Sequence, residues 1–283
     1  MAIGGLWDDW WILIAAAVPL LYVLGLLGVP LFILLTFRTT SNPVLVPVED
    51  DVTLPEIVSD YFAEITARMS QIDFETSATL FLPQQVDNIT AIVRLFDNER
   101  ERDTAMATSI YSTIGGNWQI QTQYLEFNTD YEDSTEVDTG NSGRVGAFPL
   151  PPHQTVTMAP SLDDPSELYE AHRSICKLVA GQTTKQWRLH SHFHGDAAAE
   201  LADGIGRELE RARQVGYLRY CSEADDKPPE NDGVKQRGGE MKATLKGAYL
   251  MTWNETWPFK QIITRSHLRR SRQRLEQAGV QLK

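Results

Sequence analysis

The chain has 283 residues, 42 % of them hydrophobic and 23 % charged, which is ordinary for a globular protein and excludes a disordered or low-complexity polymer. A formal net charge of −12 excludes nucleic acid as the main partner, because phosphate backbones are held by Lys/Arg surfaces. Cysteines Cys176 and Cys221 are too few for a disulfide framework and allow at most one bridge.

The start, MAIGGLWDD, is acidic and forms a short segment over residues 1–9. From Trp10 to Phe37 the chain then runs 28 residues without a charge. A membrane-spanning helix needs about 20 apolar residues, so residues 10–37 are predicted to form one transmembrane helix, with a bend where Pro19 and Pro30 interrupt the hydrogen-bond ladder. A signal peptide would need a basic start and a shorter core. Asp8 and Asp9 precede the run and Arg38 follows it. The bias of positive charge therefore places the C-terminal side in the cytoplasm.

Residues 38–54 hold two prolines and no helical period, and read as an extended linker. A soluble α+β domain is expected over 55–245. It opens with a helix, PEIVSDYFAEITARMSQI, whose Ile57, Tyr61, Ile65 and Met69 fall near one stripe widened by Phe62. Period-two segments follow: ATLFL (78–82), ITAIVRLF (89–96), TAMATSIYSTI (104–114) and WQIQTQYLEF (118–127). Short links between them predict antiparallel neighbours. STEVDTGNSGRVG adds a hairpin with Gly140 and Gly143 as turn residues, and the acidic cluster Asp130, Glu132 and Asp133 reads as a solvated turn. A capped helix is expected in 160–181 and another over 196–214; GYLRYC (216–221) reads as a strand and 222–240 as a polar mobile loop. An antiparallel sheet flanked by helices is the fold these elements make.

LHSHFHGD places three of the six histidines at 190, 192 and 194. The alternation from Trp187 predicts a strand with His190, His192 and His194 on its polar face. Same-face neighbours on a strand stand about 6.7 Å apart, so one ion cannot reach all three while the strand stays extended. A transition metal would need an adjacent pair and a further ligand, with Asp196, His172 and His153 as candidates. No HExxH, GxSxG, Walker or CxxC pattern is present in the sequence.

The C-terminal segment, 246–283, is expected as a helix that is aromatic and then basic. Residues 240–283 carry nine Lys/Arg against three Asp/Glu, whereas residues 41–140 carry four against nineteen. Trp253, Trp257 and Phe259 are expected at the headgroup level of a membrane, with Arg265, Arg269, Arg270, Arg272 and Arg274 facing anionic lipid.

The LPEIVSDYFAEI helix, the LEFNTDYEDSTEVDTGN hairpin, the ELYEAHRS helix and the KGAYLMTWNETWPFK tail together resemble an uncharacterised bacterial family of small single-pass membrane-anchored proteins. The resemblance is structural and implies no activity, cofactor or catalytic residue. Two functions are expected from the residues: a noncatalytic membrane-tethered module that binds lipid and a protein partner, or a metal-dependent membrane-tethered enzyme using the histidine cluster.

Overall fold

The structure, a computed structural model, describes residues 5–41, 43–48, 54–82, 89–114, 117–143, 146, 148–181, 183–187, 192–222 and 239–281. The apolar run forms helix α1 (Gly5–Thr36), which continues through Pro19 and Pro30. Its stretch Ile14–Thr36 is long and apolar enough to cross a membrane. Most of its surface is bare, with Leu21 and Phe32 each 66 % exposed.

The segment after α1 is not a free linker. Strand β1 (Arg38–Thr40) follows Phe37 directly and pairs antiparallel with β11 (Glu240–Ala243), Arg38 opposite Lys242. Strand β10 (Leu218–Tyr220) completes this three-stranded sheet in the order β1-β11-β10. The base of α1 is thereby tied to the domain by backbone hydrogen bonds.

The larger sheet has eight strands. It comprises β2 (Val46–Pro47), β3 (Glu75–Phe81), β4 (Ile89–Asn98), β5 (Asp103–Ile114), β6 (Asn117–Tyr131), β7 (Glu136–Gly140) and β8 (Gln154–Met158) in sequence order, with β9 (Lys185–Gln186) on β6. All pairs are antiparallel except β7 with β8. The expected α+β fold, an antiparallel-dominated sheet flanked by helices after an N-terminal apolar helix, is the one observed.

One face of the sheet builds the main core. Ile92, Phe96, Ala105, Ala107, Leu125, Phe127 and Val137 lie buried under α2 (Glu56–Ser70) and α3 (Pro165–Ala180). The small side chains of Ala105 and Ala107 leave room for an aromatic cluster. In it Phe74 meets Tyr169 edge-on at 5.0 Å and Phe127 at 5.4 Å. Helix α2 buries Val58, Phe62, Ile65 and Met69, so its stripe is rotated from the expected one: Ile57 is 53 % exposed. Helix α3 starts where Asp164 accepts hydrogen bonds from the backbone N–H groups of Ser166 (2.8 Å) and Glu167 (3.2 Å), with Pro165 in the first turn.

The β6–β7 turn is not made by glycine. Asp133 accepts from the Thr135 N–H at 3.0 Å and Ser134 takes a left-handed φ of 67°, closing the hairpin over 131–135. Gly140 ends β7 instead, where a Cβ would stand 3.3 Å from the Leu125 carbonyl.

The expected strand through His194 is also absent from the described residues. β9 covers Lys185–Gln186 alone, residues 188–191 lie outside the described residues, and 192–195 are a turn with His194 at φ 53° and Gly195 at φ 87°. The turn delivers the chain to Asp196, the N-cap of α4 (Ala197–Gln214), whose carboxylate accepts from the Ala199 N–H at 2.9 Å. The loop expected over 222–240 falls largely on 223–238, outside the described residues.

The C-terminal segment is two helices rather than one. α5 (Leu245–Glu255) rises against the lower half of α1, and α6 (Phe259–Gln277) returns. Thr244 caps α5, and Gly247 lies where a Cβ would meet the Tyr217 carbonyl at 2.0 Å, which no other residue could accept. α6 ends on the domain: Ser271 accepts from the Met158 N–H at 2.9 Å and Leu275 enters the main core.

Candidate functional site

The second face of the large sheet is covered by α4 without being filled. Between them lies a cavity of about 990 Å³. Its origin is the two-residue period of the strands. Leu125, Phe127 and Tyr131 of β6 point into the core, so Tyr124, Glu126, Asn128 and Asp130 line the cavity. In β7, Val137 is core and Asp138 lines the cavity. Met106 and Ile110 of β5, Phe148, Leu150 and Met158 add an apolar wall.

The floor is a carboxylate cluster. Asp138 accepts from the Asn128 side chain at 2.5 Å and from the Gln154 side chain at 2.8 Å. Burial pushes the Glu126 carboxyl well above the usual carboxylate range, and Asp138 and Glu208 push it further. Burial raises Asp138 as well, against the two amide hydrogen bonds that favour its charged form. Glu208, exposed on α4, is raised more mildly by partial desolvation and relieved by Arg211. The cationic side chains of α4 that line the cavity are already paired: Arg207 (2.9 Å) and Arg211 (3.2 Å) both hold Glu136, and Arg207 also holds Asp203 at 3.0 Å. These pairs pin α4 above the sheet and keep the cavity open. A ligand with an apolar body and a cationic or strongly hydrogen-bond-donating head matches this lining.

A second polar constellation sits on the core face. Asp103 accepts from Thr129 (2.6 Å), Tyr169 (2.8 Å) and Lys185 (2.6 Å). Because Thr129 donates to Asp103, its oxygen receives the Nε2–H of His172 at 2.8 Å, and Nδ1 of His172 accepts from Thr139 at 3.1 Å. Cys176 lies 3.5 Å from the same Nε2. A cysteine, a histidine and an aspartate so arranged suggest nucleophilic chemistry. Burial argues the opposite: it lowers His172 to about 4 and raises the Cys176 thiol, so the pair is a neutral imidazole and a thiol sealed in the core. The network fastens α3 to the sheet. Both cysteines are free.

Of the residues singled out from sequence, His153 and Asp130 line the cavity, Asp130 from within β6 rather than from a turn, whereas the histidine cluster and the C-terminal residues do not. His190 lies outside the described residues, while His192, His194 and Asp196 are exposed, with Asp196 engaged as a helix cap. Among the described residues no group of three His, Cys, Asp or Glu is placed to hold a metal ion. Trp253 is 47 % and Trp257 66 % exposed, and Trp253 stacks on Phe259 at 5.6 Å. Arg265, Arg269 and Arg270 are exposed; Arg272 pairs with Glu276 at 3.1 Å; Arg274 is half-buried and donates to the Val156 carbonyl at 2.7 Å. The five arginines are therefore not one free surface, and Arg274 belongs to the domain.

Sequence reading missed Glu126, Asp138 and Glu208. Their signal was there as polar residues alternating with core residues in YLEFNTDY and EVDTG, but that pattern is the same for a face open to water. Compared with protein-family models, curated proteins and solved structures, the chain matches none.

Proposed function

We propose that this chain is a noncatalytic, membrane-anchored binding module that holds a small amphiphilic ligand between its sheet and α4. The observation that carries the proposal is the covered cavity of about 990 Å³, a size suited to a small organic molecule, with an apolar wall and a carboxylate floor. α1 crosses the bilayer once as the anchor. Asp8 and Asp9 before it and Arg38 after it support a cytoplasmic position for the domain. Exposed Arg265, Arg269, Arg270 and Arg272 of α6 meet anionic lipid headgroups. The tie of β1 to β11 transmits the position of α1 to the domain, which suits a scaffold that presents its ligand-bound face to a protein partner.

Calorimetric titration of the full-length protein in vesicles with an aromatic amine, its neutral alcohol and its carboxylate tests the ligand chemistry. The amine is expected to bind most tightly and to deprotonate Glu126, so the observed heat changes with the ionisation enthalpy of the buffer. Preference for the carboxylate, or equal binding by a Glu126→Gln, Asp138→Asn double variant, would refute the role of the floor.

A further inference from the structure

We propose that α5 and α6 form a re-entrant hairpin whose tip, at Trp257, sits within the hydrocarbon of the bilayer that α1 crosses. This rests on α1 being a membrane span; the contact between the hairpin and α1 then dictates the depth. The Tyr22 hydroxyl donates to the Trp257 carbonyl at 2.5 Å. The uncharged run of α1 is bounded by Asp9 and Arg38. A hydrocarbon core of about 30 Å takes about 20 helical residues, so that window can slide only within 10–37. At one limit Tyr22 lies about 10 Å inside the boundary on the Arg38 side, and at the other about 6 Å inside the opposite boundary. Wherever the bilayer settles, α1 cannot cross it without carrying Trp257 inside.

The length of α5 agrees. From Thr36 back to Tyr22 α1 rises about 21 Å. α5 starts beside β11, level with Arg38, and its 11 residues rise about 16 Å before Thr256 and Trp257 extend the reach.

Several backbone groups of the turn at the tip are satisfied within the protein. Hydrocarbon offers no partner for a bare carbonyl, so irregular backbone enters it only when satisfied within the protein. The Thr256 carbonyl accepts from the Lys260 N–H at 2.8 Å, that of Trp257 from Tyr22, and that of Pro258 from the Ile262 N–H at 3.1 Å. The Thr256 N–H is bonded to the Thr252 carbonyl at 2.9 Å, and Pro258 has no N–H to satisfy. Trp257, 66 % exposed, and Ile262, 61 % exposed, present apolar surface outward, beside an exposed Gln261. The two charges flanking the tip, Glu255 and Lys260, meet at 2.6 Å and enter as a pair. Trp257 is thus deeper than the headgroup level that composition alone predicts. α6 then descends, bringing Arg269, Arg270 and Arg272 about 15–20 Å back from the tip to the phosphates.

The test uses full-length protein in phosphatidylcholine vesicles with Cys221→Ala, leaving the sealed Cys176 in place. An environment-sensitive thiol probe is attached at one of four single substitutions: Trp257→Cys or Ile262→Cys in the hairpin, Val23→Cys in α1, and Gln273→Cys near the domain. The Tyr22 hydrogen bond survives Trp257→Cys because it uses the backbone carbonyl. Doxyl-labelled lipid is expected to quench the probes at 257, 262 and 23, and aqueous iodide to quench them about fivefold less than the probe at 273. Iodide access at 257 and 262 equal to that at 273, with 23 still lipid-quenched, would overturn the hairpin insertion and leave the span intact. Iodide access at 23 as well would overturn both.

Discussion

The two faces of the large sheet are cut from the same strands and end in opposite states. On one, Phe62, Phe127, Leu168 and Ile175 interlock in the main core, and Asp103, Thr129 and His172 close into a hydrogen-bonded network. On the other, α4 is held off by Arg207 and Arg211 on Glu136, and space for a ligand remains above three carboxyls. The packed face stabilises the domain. The open face carries Glu126, whose carboxyl burial pushes up, beside Asp138, which Asn128 and Gln154 already hold.

The comparison breaks most sharply at Phe127. It is fully buried and touches Phe74, Tyr169 and His172. Phe127→Ala is expected to lose about 4 kcal/mol of stability by chemical denaturation. The same truncation at Met106 on the cavity wall, which already borders empty space, should lose less than half of that. Equal losses would mean that the two faces are equally packed.

His172 gives the next largest effect. Its folded-state value, about 4, is below the ordinary value of 6.5, so the unfolded chain takes up a proton first as pH falls. The stability it contributes is complete above pH 6.5 and is lost as pH falls toward 4. The loss should reach about 3 kcal/mol. His172→Gln cannot titrate and should flatten that part of the stability–pH curve; an unchanged slope would assign the acid sensitivity to other groups.

Glu126 acts in the opposite direction. Its folded-state value is raised, so its contribution is present at acid pH and is lost as pH climbs through the raised value. Glu126→Gln should therefore stabilise the domain in mildly alkaline buffer, by about 2 kcal/mol, and change little at pH 4. Thermal unfolding at the two pH values checks this, and a variant less stable in alkali would show that the carboxylate is satisfied in the empty cavity.

Much of the fold was legible. Strands β3 to β6 follow alternations visible in ITAIVRLF and TAMATSIYSTI, and α3 is bounded by Asp164-Pro165 and Gly181 as its sequence predicts. The histidine segment was misread because alternation over 187–194 is too short to tell a strand from a turn that must lead into the cap at Asp196. The C-terminal segment was read as one helix because nothing local in the sequence shows that Tyr22 meets the chain at Trp257. The cavity was illegible for a different reason: nothing in β6 or β7 tells whether water or a helix faces Glu126 and Asp138.

The sequence by itself determined the quantities that depend on neighbours along the chain. These are the uncharged run of α1, the period of the strands, the caps and the charge bias around Arg38. Tertiary structure decided everything that depends on what lies opposite: that β1 is paired, that α4 roofs the carboxylates and that the hairpin runs up α1 to Tyr22. Hydrophobic periodicity and backbone propensity are local properties, whereas desolvation of a carboxyl group or satisfaction of a turn carbonyl depends on groups far along the chain, as Trp257 depends on Tyr22.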